Sequence, residues 1–437
     1  MEWEWLLIVI FGTLIILMAT GMPIAFSFMI INVIGVYIFF GGTSGLEQMI
    51  LSISTSLTTF TLLPVALFIL MGELLVHSNI ASDVMDALDK LMGRLPGRLS
   101  LLAVATGTVI AALTGSSMSS TAMLGQILVP QMERKGYKKA MTVGPIMASG
   151  GLAIMIPPSS LAILLCVIGE VSIGKILVVI PFAGVYLAIL LAAYIIVRCK
   201  LQPDLAPEFE VAKRSFSERV SGAIKFVLPV GFIIFLVIGL IFVGIADPSE
   251  SAATGTVGMV IVILCYGRLT WEVIRKSLHG MIMITGMVFL LIAGATTFGQ
   301  ILSFSGATGG LSEFAIHLPL APILIVVTMQ IIILIMGCFM EVVSIMMITL
   351  PIFIPVINKL GFDPVWFGAI TLLNIECAFI TPPFGMNLFV MKGVAPADTT
   401  MTDIYSAATP MVLINCLTMA LMLAFPSIVL WPVKLMG

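Results

Sequence analysis

Apolar segments about as long as a bilayer is thick recur along almost the whole of this 437-residue chain. An α-helix needs ~20 mostly apolar residues to cross the hydrocarbon core of a membrane. Runs of this kind predict crossings near residues 5–20, 23–41, 50–76, 140–168, 177–197, 226–245, 251–266, 278–302, 363–391 and 408–431. Only 10% of the residues are charged, whereas about 25% are charged in a typical soluble domain. We therefore expect an all-α integral membrane protein in a lipid bilayer, with about ten transmembrane helices.

Two further apolar zones, residues 99–132 and 321–357, are each interrupted by a polar or acidic patch. The patches read "TGSSMSS" at 114–120 and "GCFMEVVS" at 337–344. Each half of a zone has about 15 residues, which is short for a crossing. Both zones predict re-entrant helical hairpins that enter and leave the membrane on the same side.

An internal repeat relates the two halves of the chain. Shifting the sequence by 225 residues, without a gap, brings Ser119 onto Ser344 and the pair Pro157–Pro158 onto Pro382–Pro383. A chance similarity between apolar segments would not keep matching residues that interrupt helices. With five crossings and one hairpin in each repeat, the second repeat enters the membrane from the opposite side. This arrangement predicts the inverted repeat of a secondary transporter.

Basic residues are distributed unequally between the two sides of this topology. With the N-terminus outside and the sides alternating at each crossing, all but three of the 20 Lys and Arg residues fall inside. The three that fall outside are Lys175, Lys359 and Lys434. The positive-inside rule expects such a distribution. It places the mouth of the first hairpin, near Arg94 and Lys135, at the cytoplasm and the mouth of the second hairpin outside.

Two proline-rich stretches, "GGLAIMIPPSS" (150–160) and "ECAFITPPFGMN" (376–387), interrupt apolar helices in the same way. Non-helical backbone is tolerated within a bilayer only where it is buried in protein or lines a cavity. A broken helix leaves carbonyl oxygens free to coordinate a cation, and its second half begins with N–H groups that attract an anion. We expect each broken helix to face the hairpin tip of its own repeat.

The hairpin tips carry polar atoms that could complete such a site. These are Ser116, Ser117, Ser119 and Ser120 in the first repeat, and Gly337, Glu341 and Ser344 in the second. Hydroxyl and carbonyl oxygens are hard ligands, which suit Na⁺ and bind soft transition metals poorly. Ser, Gly and Pro are also common where membrane helices pack closely, and any single serine fits that structural role. Two related Pro-Pro breaks, each with a polar tip, favour a binding site.

Several stretches together resemble one known family. They are "MATGMPIAFS", "LTGSSMSSTAMLG", "GGLAIMIPPSS", "GEVSIGK" and "FGAITLLNIECAFITPPFGMNLFV". Over nearly the whole chain, the sequence resembles the large membrane subunit of the tripartite ATP-independent periplasmic (TRAP, DctM-like) transporters. The resemblance implies a Na⁺-driven importer of small organic anions, such as carboxylates or sugar acids, in the bacterial inner membrane. It also implies an elevator mechanism, with a small four-helix membrane subunit and a periplasmic substrate-binding protein as partners.

The same resemblance implies at least two Na⁺ sites. One would use Ser116 and Ser119 with carbonyl groups near Ala153, Ile156 and Pro158, and the related site would use Gly337, Ala378 and Thr381. Many family members carry glycine where this chain has Ala153 and Ala378. A backbone carbonyl ligand does not depend on the side chain, so this departure is compatible with both sites.

An anion docked between the hairpin tips would meet no basic side chain at mid-membrane. Every Lys and Arg lies near a predicted span end or in a loop, so the carboxylate is expected to bind N–H groups at half-helix ends, hydroxyls and Na⁺. The candidate substrate-contacting residues are Ser117, Ser344, Glu341, Pro157, Pro382 and Asn387. Glu341 is included because an intramembrane carboxylate is a functional candidate by default, whereas Glu73 and Glu376 are left without an assigned role.

The elevator interpretation divides the chain into scaffold and transport parts. Scaffold helices with an amphipathic arm are expected at 1–98 and 226–320. A hairpin followed by a broken helix is expected at 99–169 and again at 321–392, and these form the transport core. A connecting helix with a cytoplasmic loop occupies 170–225, and a last helix occupies 393–437.

Other functions fit the sequence less well. "GEVSIGKI" (169–176) lacks the final Ser/Thr of a P-loop and follows no strand, so we expect no nucleotide cofactor and no nucleic-acid partner. An intramembrane serine protease would need a base near "GSSMSS", yet His77, His279 and His317 lie near span ends. An ion channel would not require two facing hairpins. A single-component symporter of Na⁺ and organic anions remains the main alternative.

Overall fold

The computed structural model describes residues 3–93, 95–114, 116–157, 159–207, 209, 221–338 and 340–436. Two residues singled out above, Arg94 and Pro158, lie outside the described residues. Within the described ranges the chain forms helices, turns and connecting segments, without a β-strand. The prediction of an all-α protein is confirmed.

Twenty α-helices follow one another in the described part of the chain. In the first half they are α1 Trp3–Ala19, α2 Ile24–Phe39, α3 Thr43–Leu57, α4 Leu63–Ser78, α5 Ile80–Leu91, α6 Arg98–Thr114, α7 Ser117–Arg134, α8 Lys139–Met155, α9 Ser160–Ile168 and α10 Ile173–Leu201. In the second half they are α11 Leu228–Phe242, α12 Pro248–Cys265, α13 Trp271–Phe304, α14 Ala307–His317, α15 Pro322–Gly337, α16 Val342–Lys359, α17 Pro364–Phe379, α18 Met386–Val394, α19 Met401–Ala424 and α20 Ser427–Leu435.

Seven helical segments in the described part are long and apolar enough to cross a bilayer, and the bent pair α8 and α9, which meet at 50°, makes an eighth. Five shorter apolar helices accompany them: α1, α2, residues 98–110 of α6, α15 and α17. Two of these shorter helices belong to the predicted hairpins, α6–α7 and α15–α16, each of which is interrupted at its polar patch. The membrane-spanning character is confirmed, whereas the number of ten crossings stays a prediction.

One predicted crossing is divided in the structure. The apolar run 50–76 contains the end of α3, a short 3₁₀ turn at Phe60–Leu62 and most of α4. Pro64 stands at the start of α4, where its missing N–H costs nothing because the first N–H groups of a helix have no partner within it. The apolarity of the run predicted one crossing but did not reveal the turn.

The helix boundaries follow the internal repeat. Adding 225 to the ends of α7 gives 342 and 359, which are the ends of α16. The same addition carries the start of α8 at Lys139 to the start of α17 at Pro364. The repeat departs from this correspondence where the separate helices α3 and α4 match the single 34-residue helix α13. Most helix ends therefore recur between the two repeats. The break between α3 and α4, however, has no counterpart in the continuous helix α13.

The scaffold helices of the two repeats pack directly on one another, with α2, α3 and α4 against α13. Phe28 of α2 meets Phe298 of α13 edge to face, with ring centroids 4.7 Å apart. On the next turn of α2, the Asn32 amide donates to the carbonyl of Gly294 over 2.8 Å. Because an unpaired amide is costly in an apolar interior, this hydrogen bond favours one register between the two helices.

The hairpins and broken helices form the second packed part. Helix α8 lies against α6 and α7, while α17 lies against α15, α8 and α19. Every residue of α8 from Met141 to Met155 is buried. A helix that is enclosed on all sides can present small residues such as Gly150 and Gly151 to its neighbours, which allows close approach of the backbones.

Candidate ion and substrate site

The first break follows from the prolines of "GGLAIMIPPSS". A residue before proline is pushed out of the helical region, and Ile156 accordingly has an extended backbone with φ −115° and ψ 114°. Because Pro157 has no N–H, the carbonyl of Ala153 lacks its usual helical donor. Helix α9 then starts at Ser160, with the Ser159 hydroxyl accepting a hydrogen bond from the Ala162 N–H over 3.2 Å. The break therefore leaves a buried carbonyl that could coordinate a cation.

The second break brings the residues of the other predicted Na⁺ site together. Gly337, at the end of α15, touches Ala378 so closely that a Cβ on the glycine would lie 2.1 Å from the Ala378 Cβ. The Ala378 carbonyl accepts from the Thr381 N–H over 3.2 Å, and the Thr381 hydroxyl donates to the Cys377 carbonyl over 2.7 Å. A hydroxyl that donates in this way keeps a lone pair for a cation, beside the Cys377 thiol at 3.8 Å.

At the first hairpin tip, Ser116 is the N-cap of α7. Its Oγ accepts a hydrogen bond from the Ser119 N–H over 3.3 Å, which satisfies one of the unpaired donors of the first turn. The tip packs on α8 at Gly150, where an added Cβ would lie 2.0 Å from Thr121 Oγ1 and 3.1 Å from the Ser117 carbonyl oxygen. The tip and the adjacent part of α8 thus belong to one packed unit.

The second halves of the broken helices depart from our prediction, because they pack on the hairpin of the other repeat. Helix α18 lies against α7, and α9 lies against α16. The Asn387 amide at the start of α18 donates to the Ser117 Oγ over 2.7 Å, and both side chains are buried. The sequence order suggested contacts within a repeat, but the change of direction at each break sends the chain across to the other hairpin.

Two buried oxygen atoms near the first tip lack a hydrogen-bond donor within the described part of the chain. They are Oδ1 of Asn387 and Oγ1 of Thr121. Unpaired acceptors in an apolar interior cost free energy, and a bound cation would satisfy them. Within the described ranges, no three His, Cys, Asp or Glu side chains come together as a transition-metal site. The available donors are therefore oxygen atoms of the kind that suits Na⁺.

At the second tip, the predicted candidate Glu341 is the N-cap of α16. Its Oε2 accepts from the N–H groups of Val343 and Ser344 over 3.1 and 3.3 Å. The Ser344 hydroxyl lies 3.5 Å from the same oxygen and donates to it. A carboxylate at a helix N-terminus also interacts favourably with the helix dipole. Glu341 and Ser344 are therefore brought together, with Ser344 bound to the carboxylate.

A cavity of about 250 Å³ lies between the two tips and the scaffold. Of the predicted site residues, Ser116, Ser117, Ser119 and Glu341 line it. The scaffold contributes Phe68, Ile69, Glu73 and Val76 from α4 and Ile284, Met287 and Val288 from α13. Asn387 and Ser344 stand behind the lining, bonded to Ser117 and Glu341 respectively. Pro157 and Pro382 shape the breaks and do not line this cavity.

The lining residues that had no predicted role in the site include Glu73, Ser160 and Phe379. Glu73 Oε2 lies 3.2 Å from Nε2 of His77, one turn along α4. The carboxylate is also close to Gly280 of α13, where an added Cβ would lie 2.3 Å from the same oxygen. An intramembrane acid was the signal that could have marked Glu73, but only the packing of α4 on α13 brings it to the cavity.

Glu376 lies where the two broken helices cross. Its carboxyl group is fully buried and forms no hydrogen bond within the described residues. It faces Gly151 of α8 so closely that an added Cβ would lie 1.1 Å from Oε1. The shift of 225 residues relates Gly151 to Glu376, so the repeat's approximate symmetry axis passes through this contact. The glycine provides the space that the acid occupies.

A second cavity, of about 450 Å³, lies between the same two parts of the protein. It is at a different height along the helices from the first cavity. Gln300 and Ser303 of α13 line it, together with Asn358 of α16 and Glu170 of the turn after α9. By the predicted topology this end faces the periplasm, while Glu73 and Val76 lie toward the cytoplasmic end of α4. The interface between core and scaffold thus encloses space toward each side.

Comparison with known proteins agrees with this geometry. The family profile described as the tripartite ATP-independent periplasmic transporter, DctM component, matches residues 11–428. The chain belongs to this family.

Two similar TRAP permeases illustrate the breadth of the match. The C4-dicarboxylate TRAP transporter large permease protein DctM of Rhodobacter capsulatus is 28% identical over 98% of this chain and 99% of its own length. The protein of the same description in Pseudomonas aeruginosa is 31% identical over 77% of this chain and 78% of its own. Such relatives are transport permeases, so this DctM component is a transporter subunit and not an enzyme.

Two solved structures share the fold. The YdaH transporter of Alcanivorax borkumensis superimposes with a TM-score of 0.60 at 14% identity, over 88% of this chain and 89% of that one. MtrF of Neisseria gonorrhoeae gives 0.59 at 13% identity, over 88% of this chain and 84% of its own. At such low identity the likeness concerns the architecture of the DctM component and not its substrate.

Proposed function

We propose that this protein is the moving large subunit of a Na⁺-driven TRAP importer for a small organic acid in the bacterial inner membrane. The observation that carries the proposal is the cavity between the hairpin tips and the scaffold. The hairpin tips line it with serine hydroxyls and with the first residues of α7 and α16, and the two proline-broken helices reach it at Ser160 and Phe379, next to their breaks. Cations and a carboxylate could therefore bind side by side.

The named substrates of relatives support an organic acid. Besides C4-dicarboxylates, they include sialic acid for a Vibrio cholerae permease that is 25% identical and 2,3-diketo-L-gulonate for an Escherichia coli permease that is 26% identical. Ectoine is named for permeases of Halomonas elongata and Ruegeria pomeroyi, at 25% and 24% identity. These molecules share a carboxylate, which is the group that a helix N-terminus binds.

We further propose that the protein works with a small four-helix membrane subunit and a periplasmic substrate-binding protein. An isethionate TRAP permease of Oleidesulfovibrio alaskensis, described as DctMQ, is 28% identical over 89% of this chain but only 60% of its own length. The additional length leaves room for a further subunit in the same polypeptide. A delivering protein also suits a site whose hydrogen bonds are individually modest.

Measuring substrate uptake under an imposed Na⁺ gradient is the direct test of this proposal. The assembled membrane complex, reconstituted in liposomes with its binding protein outside, should accumulate radiolabelled substrate when an inward Na⁺ gradient is imposed. An equal K⁺ gradient serves as the control, and uptake that is the same in both would contradict Na⁺ coupling. A single-component symporter is the alternative, and it would accumulate substrate without the binding protein.

A further inference from the structure

The cavity between the hairpin tips and the scaffold has two chemically different walls. The core contributes the serine hydroxyls of the first tip, the first residues of α16 and Glu341. The scaffold contributes apolar residues and a single acid, Glu73. In the elevator mechanism that we propose, the first wall moves with the cargo and the second wall stays in place. A charge on the scaffold wall therefore acts on the cargo only while the core is at this position.

The fold does not require an acid at position 73. The shift of 225 residues relates Glu73 to Phe298, which is fully buried and packs edge to face on Phe11 and Phe28. In the second repeat, the corresponding position thus holds an aromatic ring of the scaffold core. An acid within a membrane helix is costly and is a functional candidate by default. Glu73 therefore calls for a role beyond helix packing.

Two neighbours hold the Glu73 carboxylate in the scaffold wall. Its Oε2 lies 3.2 Å from Nε2 of His77, one turn along α4. On α13, Gly280 leaves the space that this oxygen occupies, since an added Cβ would lie 2.3 Å from it. A neutral imidazole that donates from Nε2 orients the carboxylate without cancelling its charge. Glu73 is thus fixed in position and still lines the cavity.

A substrate carboxylate in this cavity would be repelled by Glu73 unless cations accompany it. All residues that line the cavity are described, and no Lys, Arg or His is among them. Like charges repel more strongly beside an apolar wall than in water, because the effective dielectric constant is lower. Na⁺ ions bound beside the carboxylate would offset this repulsion, for a monocarboxylate and for a dicarboxylate alike. By the predicted topology, Glu73 lies toward the cytoplasmic end of α4, where substrate is released.

We propose that Glu73 is a scaffold residue that makes movement of the substrate depend on bound Na⁺. This inference rests on the proposed function and adds a residue that controls coupling, outside the candidate Na⁺ sites. With Na⁺ bound, the loaded core can occupy the position opposite Glu73. Once Na⁺ has left, the remaining anion is repelled, so it is released to the cytoplasm and is not carried back alone.

The flux of substrate in the absence of Na⁺ tests this role. Proteoliposomes contain the assembled membrane complex, with its binding protein outside and K⁺ in place of Na⁺ on both sides. The radiolabelled probes are butanedioate, N-acetylneuraminate and ectoine, and the probe used is one that the parent protein accumulates under a Na⁺ gradient. Its Na⁺-free entry down its own gradient should be near background for the parent and at least fivefold higher for Glu73→Gln, which removes the charge but keeps the shape.

Two further variants separate the effect of charge from that of structure. Glu73→Asp keeps the negative charge and should retain the low Na⁺-free flux of the parent. Glu272→Gln is the matched control on scaffold helix α13, because Glu272 pairs with Lys276 one turn along, over 2.7 Å, and does not line the cavity. This variant should also retain the low flux.

The proposal is overturned if Glu73→Gln shows the same Na⁺-free flux as the parent. A purely structural role would lower Na⁺-driven uptake in both Glu73 variants without creating a Na⁺-free flux, and that result would overturn the proposal as well. If the parent accumulates none of the three probes under a Na⁺ gradient, the proposed function itself is contradicted and this inference is lost with it. The two failures are therefore distinguishable.

Discussion

At the scale of single residues, the candidate Na⁺ sites depend on oxygen atoms that the helix backbone cannot pair. Pro157 removes the donor for the Ala153 carbonyl, and the Thr381 hydroxyl donates to the Cys377 carbonyl, which leaves a lone pair for a cation. The side chains that contribute are small and uncharged. Their effect on Na⁺ binding should therefore be visible when one hydroxyl is removed without changing the charge of the site.

Ser116→Ala and Thr381→Ala should each raise the Na⁺ concentration for half-maximal transport, because each variant lacks one candidate ligand. A loss of ~1–3 kcal/mol corresponds to roughly five- to a hundredfold in affinity. The measurement is uptake by proteoliposomes over a range of Na⁺ concentrations. Ser172→Ala removes a similar cap from α10 and should leave the Na⁺ dependence as it is. Unchanged Na⁺ dependence in both site variants would refute the assignment.

Gly151→Ala should destabilise the protein, because the new methyl group would overlap the Glu376 carboxylate. Overpacking of a buried site typically costs ~1–3 kcal/mol, and a stability assay on detergent-purified protein would detect it as a lower midpoint of thermal unfolding. The double variant with Glu376→Ala should recover much of the loss. Gly286→Ala is the control, since nothing lies within 4 Å of its added Cβ. Equal midpoints for Gly151→Ala and the parent would contradict the contact.

At the scale of helices, the second half of each broken helix packs on the hairpin of the other repeat. These contacts join the two hairpins into one unit. Helix α18 of the second repeat lies on α7 of the first, and α9 lies on α16. A rigid transport core needs such contacts, because otherwise each repeat could move alone. The buried hydrogen bond between Asn387 and Ser117 is the most specific of them.

A double-mutant cycle on Ser117→Ala and Asn387→Ala should reveal coupling of ~1 kcal/mol between α7 and α18. Each single variant leaves a buried partner unsatisfied, so the double variant should be less destabilised than the sum of the two. Unfolding midpoints of the purified protein provide the measurement. The exposed pair Gln300 and Ser52, bonded over 3.2 Å, is the control cycle, in which coupling should be small because water competes. Strict additivity at Ser117 and Asn387 would argue against the contact.

At the scale of the whole molecule, two cavities lie between the packed core and the scaffold helices, at different heights along the helices. An elevator mechanism requires such an interface, along which the core can slide while the scaffold stays in place. In the elevator mechanism that we propose, the repeat would supply the symmetry for two alternative positions of the core. The orientation of the two repeats in the membrane then decides which cavity opens to which side.

Thiol labelling tests that orientation. In a variant without native cysteines, single cysteines at positions 135 and 214 should resist a membrane-impermeant reagent in intact spheroplasts, because both loops are predicted to be cytoplasmic. A cysteine at position 359 should react, since the second hairpin is predicted to open outward. Permeabilised cells serve as the control for reactivity. Labelling of positions 135 and 214 from outside would contradict the inverted topology.

The sequence by itself determined the all-helical membrane fold and the positions of the two breaks, and it predicted two re-entrant hairpins. These features depend on local chemistry. Apolar length predicts helices in lipid, and a Pro-Pro pair favours a break because two successive residues lack an N–H, whereas single prolines such as Pro145 and Pro355 lie inside continuous helices. The resemblance to the family implied that Gly337, Ala378 and Thr381 would lie together. Only the tertiary structure decided that Asn387 crosses to Ser117, that Glu73 reaches the cavity and that Glu376 stands against Gly151. These contacts join residues far apart in the chain, and they depend on the angles at which helices leave the breaks, which no local pattern specifies.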